Sequence, residues 1–106
     1  MTSREPSRAE VDQLPGPVLL EFGAGWCPYC QMMRPTVAVL LREHPEVRHI
    51  RIEDGPRRPL GRSFRVKLWP NFVVLRDGQV LRQLARPSAQ ELEDAMGLIA
   101  DSPLAG

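Results

Sequence analysis

Long apolar runs and cysteines are both scarce in this 106-residue chain. Its longest apolar stretches reach about six residues, whereas a membrane-spanning helix needs about 20. Residues 1–13 are polar and lack the apolar core of a secretory signal, so we expect a cytoplasmic protein with no membrane partner. Two cysteines are too few for a disulfide scaffold. They suggest a redox pair, half of a metal site, or two buried apolar side chains.

An excess of charge of one sign is missing as well, because the net charge is +1 at pH 7. Cationic residues do cluster between positions 51 and 67, but this segment also contains Glu53 and Asp54, and its one aromatic residue is Phe64. A nucleic-acid surface needs cations interleaved with aromatic side chains. We therefore expect a solvated loop and no nucleic-acid partner, with a surface that steers an acidic redox partner as the alternative.

Local patterns predict an alternation of strands and helices. The nearly continuous apolar run at 18–24 is typical of a central strand buried on both faces, and residues 47–54 predict a second strand. Between them, apolar residues at helical spacing follow the cysteines and predict a helix. Two β-rich runs around Asp77 and Gly78 predict a hairpin. Ser88 is placed to cap a final helix.

These elements predict an α/β fold. A helical crossover makes the first two strands parallel, and the hairpin adds an antiparallel pair. We expect a three-layer sandwich with a mixed central β-sheet of about four strands and helices on both faces. The length and a hydrophobic content of 42% suit a single domain over residues 1–106, with loose termini at 1–6 and 101–106.

Cys27 and Cys30 lie between the first strand and the following helix, separated by Pro28 and Tyr29. Unpaired backbone N–H groups and the positive end of the helix dipole face the first sulfur, which favours its thiolate form. Pro28 suits the first helical turn, where its missing N–H is no loss. We therefore predict Cys27 as the nucleophile and Cys30, expected to be more buried, as the resolving thiol that releases a mixed disulfide.

Two other interpretations of the cysteines stay open at this point. A zinc site needs four ligands, and the remaining candidates, His44 and His49, do not have a close ligand spacing. The cysteines can also be inert apolar side chains. Redox chemistry is the favoured interpretation, with no metal and no organic cofactor.

Three features together resemble the thioredoxin family over roughly residues 16–100. They are "WCPYC" at the junction of strand and helix, Pro35 after the second cysteine, and the "WPNFVVLRDGQVL" block. The resemblance implies a thioredoxin-like fold and thiol–disulfide oxidoreductase activity. It also implies that Pro70 is a cis-proline facing the thiols, in a segment whose backbone pairs with an extended substrate. Trp26 would pack beside the thiols and limit water access.

Glu21 interrupts the first apolar strand. The resemblance implies a buried acid behind the second cysteine at this position, where the family usually has Asp. A buried carboxylate is costly unless it is paired, so Glu21 is expected to take up and return the Cys30 proton as the disulfide opens and closes. The alternative is a side chain that reaches solvent past the strand end. The family often has a lysine beside this acid; the nearest matching positions are Ile50 and Arg51, and neither is a lysine.

The sequence departs from the thioredoxin pattern at several positions. Pro28 and Tyr29 replace the usual Gly-Pro and are typical of glutaredoxins, so we expect a reduction potential nearer ~−200 to −230 mV than ~−270 mV. Trp69 replaces a smaller residue before the proline, and so narrows the substrate groove or offers a stacking surface. A glycine expected after the hairpin is missing, and Arg86 lies near that place. It either binds an acidic partner or the carboxylate of glutathione, or is a solvated loop arginine.

The sequence thus predicts a monomeric thiol–disulfide oxidoreductase that acts on protein disulfides through a reversible Cys27–Cys30 pair. Thioredoxin reductase or glutathione would regenerate it. One alternative is a glutathione-dependent, glutaredoxin-like reductase, although no Gly-Gly-X-X-Asp-like stretch follows the hairpin. The other is a partner-binding module of thioredoxin fold with a regulatory redox pair. The expected substrate-binding residues are Trp26, Pro28, Tyr29, Trp69 and Pro70.

Overall fold

A four-stranded mixed β-sheet forms the centre of the protein, of which the computed structural model describes residues 5–100. The strands are β1 (Pro17–Gly23), β2 (Arg48–Glu53), β3 (Asn71–Arg76) and β4 (Gln79–Ala85), in the spatial order β2-β1-β3-β4. β1 and β2 run parallel, whereas β3 is antiparallel to both β1 and β4. The predicted mixed sheet is confirmed, and β1 is an inner strand of which residues 18–22 are all buried.

Four helices accompany the sheet: α1 (Arg8–Asp12), α2 (Pro28–Glu43), α3 (Pro59–Ser63) and α4 (Ala89–Ala100). Side chains alternate between the two faces of each strand, so each face has its own apolar core. On one face, α2 and α4 pack on the sheet in a core of Leu19, Val37, Leu40, Val47, Phe72, Val74, Leu92, Ala95, Met96 and Ile99. On the other face, α1 and α3 contribute to a core of Val11, Val18, Leu20, Phe22, Ile52, Leu60, Phe64, Val73 and Leu75. The three-layer α/β sandwich is therefore as expected.

Local sequence signals define the hairpin and the last helix. Asp77 and Gly78 have φ angles of 52° and 82°, the left-handed pair that a tight two-residue hairpin requires. The Asp77 carboxylate also accepts a hydrogen bond of 2.8 Å from the backbone N–H of Gly16. At α4, the Ser88 hydroxyl accepts from the Glu91 N–H and the Glu91 carboxylate accepts from the Ser88 N–H, a complete capping box.

The predicted loose termini fall mostly outside the described residues, which leave out 1–4 and 101–106. Glu5 belongs to the predicted tail, and for this residue the prediction was wrong. Its carboxylate accepts a hydrogen bond of 3.2 Å from the backbone N–H of Leu60, at the start of α3. This contact ties the chain before α1 to the same face of the sheet. Within the described range, none of the helices combines the length and the apolar character needed to cross a bilayer.

Candidate active site

Both cysteines lie where the end of β1 meets the start of α2. Cys27 is the N-cap residue of α2, Pro28 is its first residue, and Cys30 lies one turn in. Both are free thiols. The Cys27 sulfur accepts a hydrogen bond of 3.2 Å from the backbone N–H of Cys30, so one of the N–H groups at the helix start is directed at this sulfur.

The two thiols are electrostatically unequal. Burial is the main cause that raises the pKa of Cys30 from 9.0 to about 11, followed by its side-chain hydrogen bond to Cys27; the negative charge of Glu21 adds a smaller contribution. Cys30 therefore keeps its proton, whereas the Cys27 sulfur accepts the hydrogen bond from the Cys30 N–H. Cys27 is thus the sulfur toward which the N-terminus of α2 is directed.

The expectation that Cys30 is the more buried thiol was wrong, because Cys27 and Cys30 are only 3% and 4% exposed. The indole that covers them is Trp69, which packs against the buried cluster of Ala24, Cys27 and Cys30. The expectation that Trp26 limits water access was also wrong, since this side chain is 71% exposed. It lies outside Trp69, edge to face, with ring centroids 5.5 Å apart.

Trp69 is held in place by a residue that the sequence did not indicate. Its indole N–H donates a hydrogen bond of 2.8 Å to the carboxylate of Asp54, directly after β2. The contact spans 15 residues and depends on the loop between β2 and α3, so no local pattern predicts it. Trp69 is thereby fixed over the thiols instead of turning into solvent.

Gly23, the last residue of β1, makes room for the second thiol. A Cβ at this position would lie 2.7 Å from the Cys30 sulfur, closer than real Cβ atoms approach. The absence of a side chain at Gly23 is what lets Cys30 pack against the strand. An isolated glycine inside a strand pattern indicates close approach of another group, and this signal was available in the sequence.

Glu21 is buried, and the alternative that it reaches solvent was wrong. Its carboxylate oxygen Oε1 lies 2.7 Å from Nε2 of His49 and 3.5 Å from Nε of Arg51. Parallel pairing sets Glu21 beside Arg51, and His49 lies two residues earlier on the same face of β2. Of the two positions expected beside this acid, Arg51 does contact it, whereas Ile50 lies on the opposite face of β2. His49 was expected only as a candidate metal ligand.

A small cavity joins the acid to the second thiol. It has a volume of about 40 Å³ and is lined by Glu21, Gly23, Ala24, Gly25, Cys30, Arg34, Arg51, Ile52 and Glu53. This space exceeds the minimum of roughly 10–15 Å³ that a water molecule requires, and it has polar groups on its walls. The cavity therefore has room for one water molecule beside both the Cys30 sulfur and the Glu21 carboxylate.

On the outer side of the thiols, Arg86 connects the segments that surround Cys27. The Trp69–Pro70 peptide bond is cis. Arg86 donates from its backbone N–H to the Pro70 carbonyl at 2.9 Å and from Nε to the Trp69 carbonyl at 2.7 Å. Its guanidinium also lies 4.2 Å from the centre of the Tyr29 ring. Arg86 is therefore not a freely solvated loop arginine.

No group of three or more His, Cys, Asp or Glu side chains suited to a metal ion is found among residues 5–100. His44 lies at the end of α2, 3.7 Å from Glu46, whereas His49 lies against Glu21. The two histidines are therefore engaged at separate places and neither lies with the cysteines in a ligand set.

Two adjacent thiols, one accepting hydrogen bonds and the other holding its proton, suit reversible thiol–disulfide exchange. The class of protein is accordingly thiol–disulfide oxidoreductase. Comparison with known proteins makes the assignment specific: the thioredoxin family model matches residues 2–97. The chain belongs to the thioredoxin family.

Individual relatives agree with this assignment. The structure of thioredoxin 2 from Pseudomonas aeruginosa PAO1, in its reduced form, is 49% identical, covers 93% of both chains and superposes with a TM-score of 0.82. Thioredoxin Asp f 28 of Aspergillus fumigatus is 30% identical over 86 residues, 80% of each chain. Mitochondrial thioredoxin-3 of Saccharomyces cerevisiae is 30% identical over 76 residues, 70% of this chain and 60% of that protein.

Proposed function

We propose that this thiol–disulfide oxidoreductase reduces disulfides of other proteins, with Cys27 as the nucleophile and Cys30 as the resolving thiol. The observation that carries the proposal is the asymmetry of the pair. Cys27 accepts hydrogen bonds at the N-terminus of α2, while burial raises the pKa of Cys30 to about 11. The helix N-terminus therefore favours Cys27 as the attacking sulfur, and Cys30 becomes reactive only when a base takes its proton.

In the proposed reaction, the Cys27 thiolate attacks one sulfur of a substrate disulfide, and the other substrate sulfur leaves with the bonding electron pair. Cys30 then gives its proton to Glu21 and attacks the Cys27 sulfur. The Cys27–Cys30 bond forms, the mixed disulfide breaks, and the substrate is fully reduced by two electrons. Glu21 is supported in this role by the cavity that it shares with Cys30.

We further propose that substrates bind on the aromatic surface around Cys27. Trp26, Pro28 and Tyr29 are exposed there, Trp69 is partly exposed beside Trp26, and the buried Pro70 follows it in the chain. Aromatic side chains of this kind favour an extended polypeptide over a small charged thiol. Arg86, the candidate partner for the carboxylate of glutathione, already contacts Trp69 and Tyr29, which weighs against glutathione as the substrate.

A trapping experiment tests the roles of the two cysteines. With a protein disulfide such as insulin, Cys30→Ser should accumulate a mixed disulfide through Cys27, because no second thiol resolves it. Cys27→Ser should form none. Mass spectrometry of non-reduced samples gives the measurement. Mixed disulfides formed equally by both variants would contradict the assignment. Full partner binding by Cys27→Ser, together with absent turnover in the unchanged protein, would favour the partner-binding module.

The reductant is tested by coupled assays. We propose that thioredoxin reductase with NADPH regenerates the protein, as the family assignment suggests, and that it works as a monomer in the cytoplasm. One assay supplies NADPH and thioredoxin reductase, and the other supplies glutathione with its reductase. Turnover from glutathione alone would support the glutaredoxin-like alternative. The expected potential, near ~−200 to −230 mV because of Pro28 and Tyr29, is measured by equilibration with glutathione, and a value at ~−270 mV or below would contradict it.

A further inference from the structure

The closest polar contact in the interior behind the thiols joins Glu21 and His49. Carboxylate Oε1 and imidazole Nε2 are 2.7 Å apart, a distance that requires a hydrogen between them. The two side chains differ in access to water, because Glu21 is 4% exposed and His49 is 21% exposed. The acid therefore lies inside the protein and its partner reaches the surface.

A buried acid that accepts a proton must also release it before the next cycle. Glu21 has almost no contact with bulk water, and its cavity is lined by protein. Among residues 5–100, His49 is the one side chain hydrogen-bonded to Glu21 of a type that gains and loses a proton between pH 5 and 8. Arg51, 3.5 Å from the same oxygen and half exposed, keeps its proton at any such pH.

We propose that His49 is the positioning residue that orients Glu21 and through which the Glu21 proton exchanges with solvent. This inference rests on the proposed role of Glu21 in the resolving step. As the Cys27–Cys30 bond forms, the Cys30 proton passes to Glu21 and the substrate sulfur leaves with the electron pair of the broken S–S bond. The Glu21–His49 pair then holds one proton more than before, and it gives that proton to water at the exposed imidazole.

The opposite direction uses the same groups. When an external thiol opens the Cys27–Cys30 disulfide, Cys30 leaves as a thiolate and takes its proton from Glu21. The imidazole then takes one proton from water, and the pair returns to its starting state. One proton crosses the pair in each half-reaction, and no further oxidant or reductant is required beyond the disulfide and thiol substrates.

Other charged side chains also line the cavity beside Glu21. Arg51 and Glu53 of β2 and Arg34 of α2 line the cavity from its outer side, and Cys30 lines it from within. The residues that α4 buries on this face of the sheet are apolar: Leu92, Ala95, Met96 and Ile99. None of these four can carry a proton. Glu53 can carry one, but among the contacts described it makes none with Glu21, whereas His49 is hydrogen-bonded to it, which favours His49 as the route.

The test measures the pH dependence of the resolving step in three variants. His49→Gln keeps a hydrogen-bond donor beside Glu21 but cannot titrate. Arg51→Gln removes a charge at a similar place without removing a titrating group. His44→Gln is the matched control, because it deletes the other histidine, which is paired with Glu46 far along α2. The mixed disulfide is formed first, and its decay is followed by stopped flow from pH 5 to 9.

We expect His49→Gln to slow decay about 10-fold at pH 7 and to remove the part of the pH profile that falls between 5 and 8, since a direct general base contributes at least ~100-fold. Arg51→Gln and His44→Gln should keep the shape of the profile. An unchanged profile in His49→Gln overturns the inference, and so does an equal change in Arg51→Gln, which would assign the effect to charge. A failure of the proposed function is distinguishable, because the unchanged protein would then form no mixed disulfide.

A second measurement needs no substitution. NMR titration of the two imidazoles in the reduced and oxidised protein should give a midpoint for His49 that depends on the redox state, because proton and electron transfer are linked through Glu21. The His44 midpoint should be the same in both states. Equal midpoints for His49 in both states would overturn the inference even if the variants do not fold.

Discussion

The inner and outer sides of the dithiol differ in almost every physical respect. On the inner side, Glu21 is shielded from water, hydrogen-bonded to the partly exposed His49 and joined to Cys30 by a small cavity. On the outer side, Trp26 and Tyr29 are exposed aromatic rings, and Trp69 covers the sulfurs. The inner side is suited to moving a proton, and the outer side to admitting and holding a polypeptide.

The contrast between the two sides shows how the first turn of α2 serves two tasks. Cys27, at the N-cap, is the sulfur proposed to receive the substrate, while Cys30, one turn later, shares a cavity with the acid. A change on the inner side should therefore alter the rate and pH dependence of the resolving step. A change on the outer side should alter access to Cys27 and the concentration of substrate needed. Each prediction below tests whether these effects stay separate.

The largest effect is expected for Glu21→Gln. The amide keeps the size of the acid but cannot accept the Cys30 proton, so decay of the mixed disulfide should slow about 100-fold at pH 7. Formation of the mixed disulfide through Cys27 should stay within about twofold, because Glu21 takes no part in that step. Stopped-flow measurement of both steps provides the check.

Glu53→Gln is the matched control for this substitution. Glu53 lines the same cavity but is exposed, so its loss should leave both steps unchanged. If Glu53→Gln slowed the resolving step as much as Glu21→Gln does, the general negative charge of the cavity would be responsible. The effect of Glu21→Gln would then not show that Glu21 itself accepts the Cys30 proton.

The next effect concerns the pH dependence of stability. Burial raises the pKa of Cys30 from 9.0 to about 11, so the folded protein holds this proton more tightly than the unfolded chain. The resulting stabilisation is complete below about pH 9 and is lost as pH rises to about 11, which amounts to roughly 2 kcal/mol. Urea unfolding of the reduced protein across this range measures it.

Cys30→Ser provides the comparison for this measurement, because serine has no titration in the range. The loss of folding stability between pH 9 and 11 should be smaller in this variant by roughly 2 kcal/mol. An equal loss in the two proteins would mean that the Cys30 proton is no better held in the folded state. The inner side would then be less shielded from water than the structure indicates.

On the outer side, Trp69→Phe keeps an aromatic cover but removes the N–H that bonds Asp54. A hydrogen bond to a charged acceptor contributes about 1.5 kcal/mol, so the uncovered state should become about 10-fold more populated. Alkylation of Cys27 by iodoacetamide should accelerate by the same factor. Trp26→Phe is the control, since Trp26 is already exposed, and an equal acceleration in it would contradict the assignment of Trp69 as the cover.

Much of the fold could be predicted, because the sequence signals for its turns and helix ends are local. The Asp77–Gly78 turn and the Ser88–Glu91 cap depend on neighbours in the chain, and their residue types alone define the geometry. The position of Cys27 at the helix start likewise follows from a strand that ends and a helix that begins a few residues apart. Predicting these features required no knowledge of tertiary contacts.

The surroundings of the thiols could not be predicted in the same way. Glu21 meets His49 only through the register of two parallel strands, 28 positions apart in the chain. Trp69, and not Trp26, packs against the thiols, and it is held there by its hydrogen bond to Asp54 in the loop after β2. Proximity in sequence suggested the wrong tryptophan, because Trp26 lies in the turn before the helix and is directed outward.

The smallest expected effect separates substrate binding from the chemistry at sulfur. Arg86→Gln removes the guanidinium from the Tyr29 ring and from the Trp69 carbonyl. A cation–π contact at an exposed site is worth about 0.5–1 kcal/mol, so the KM for a protein disulfide should rise about threefold while kcat stays the same.

The backbone of Arg86 has a φ of 50°, and glutamine is no better suited to this conformation, so the substitution tests the side chain and not the strain. Arg82→Gln, on the preceding strand β4, is the control, because Arg82 donates only to the neighbouring Leu81 carbonyl among the contacts described for it. A fall in kcat with an unchanged KM in Arg86→Gln would mean that an outer residue acts on the resolving step. The two sides of the dithiol would then be coupled through Tyr29, which lies between the cysteines.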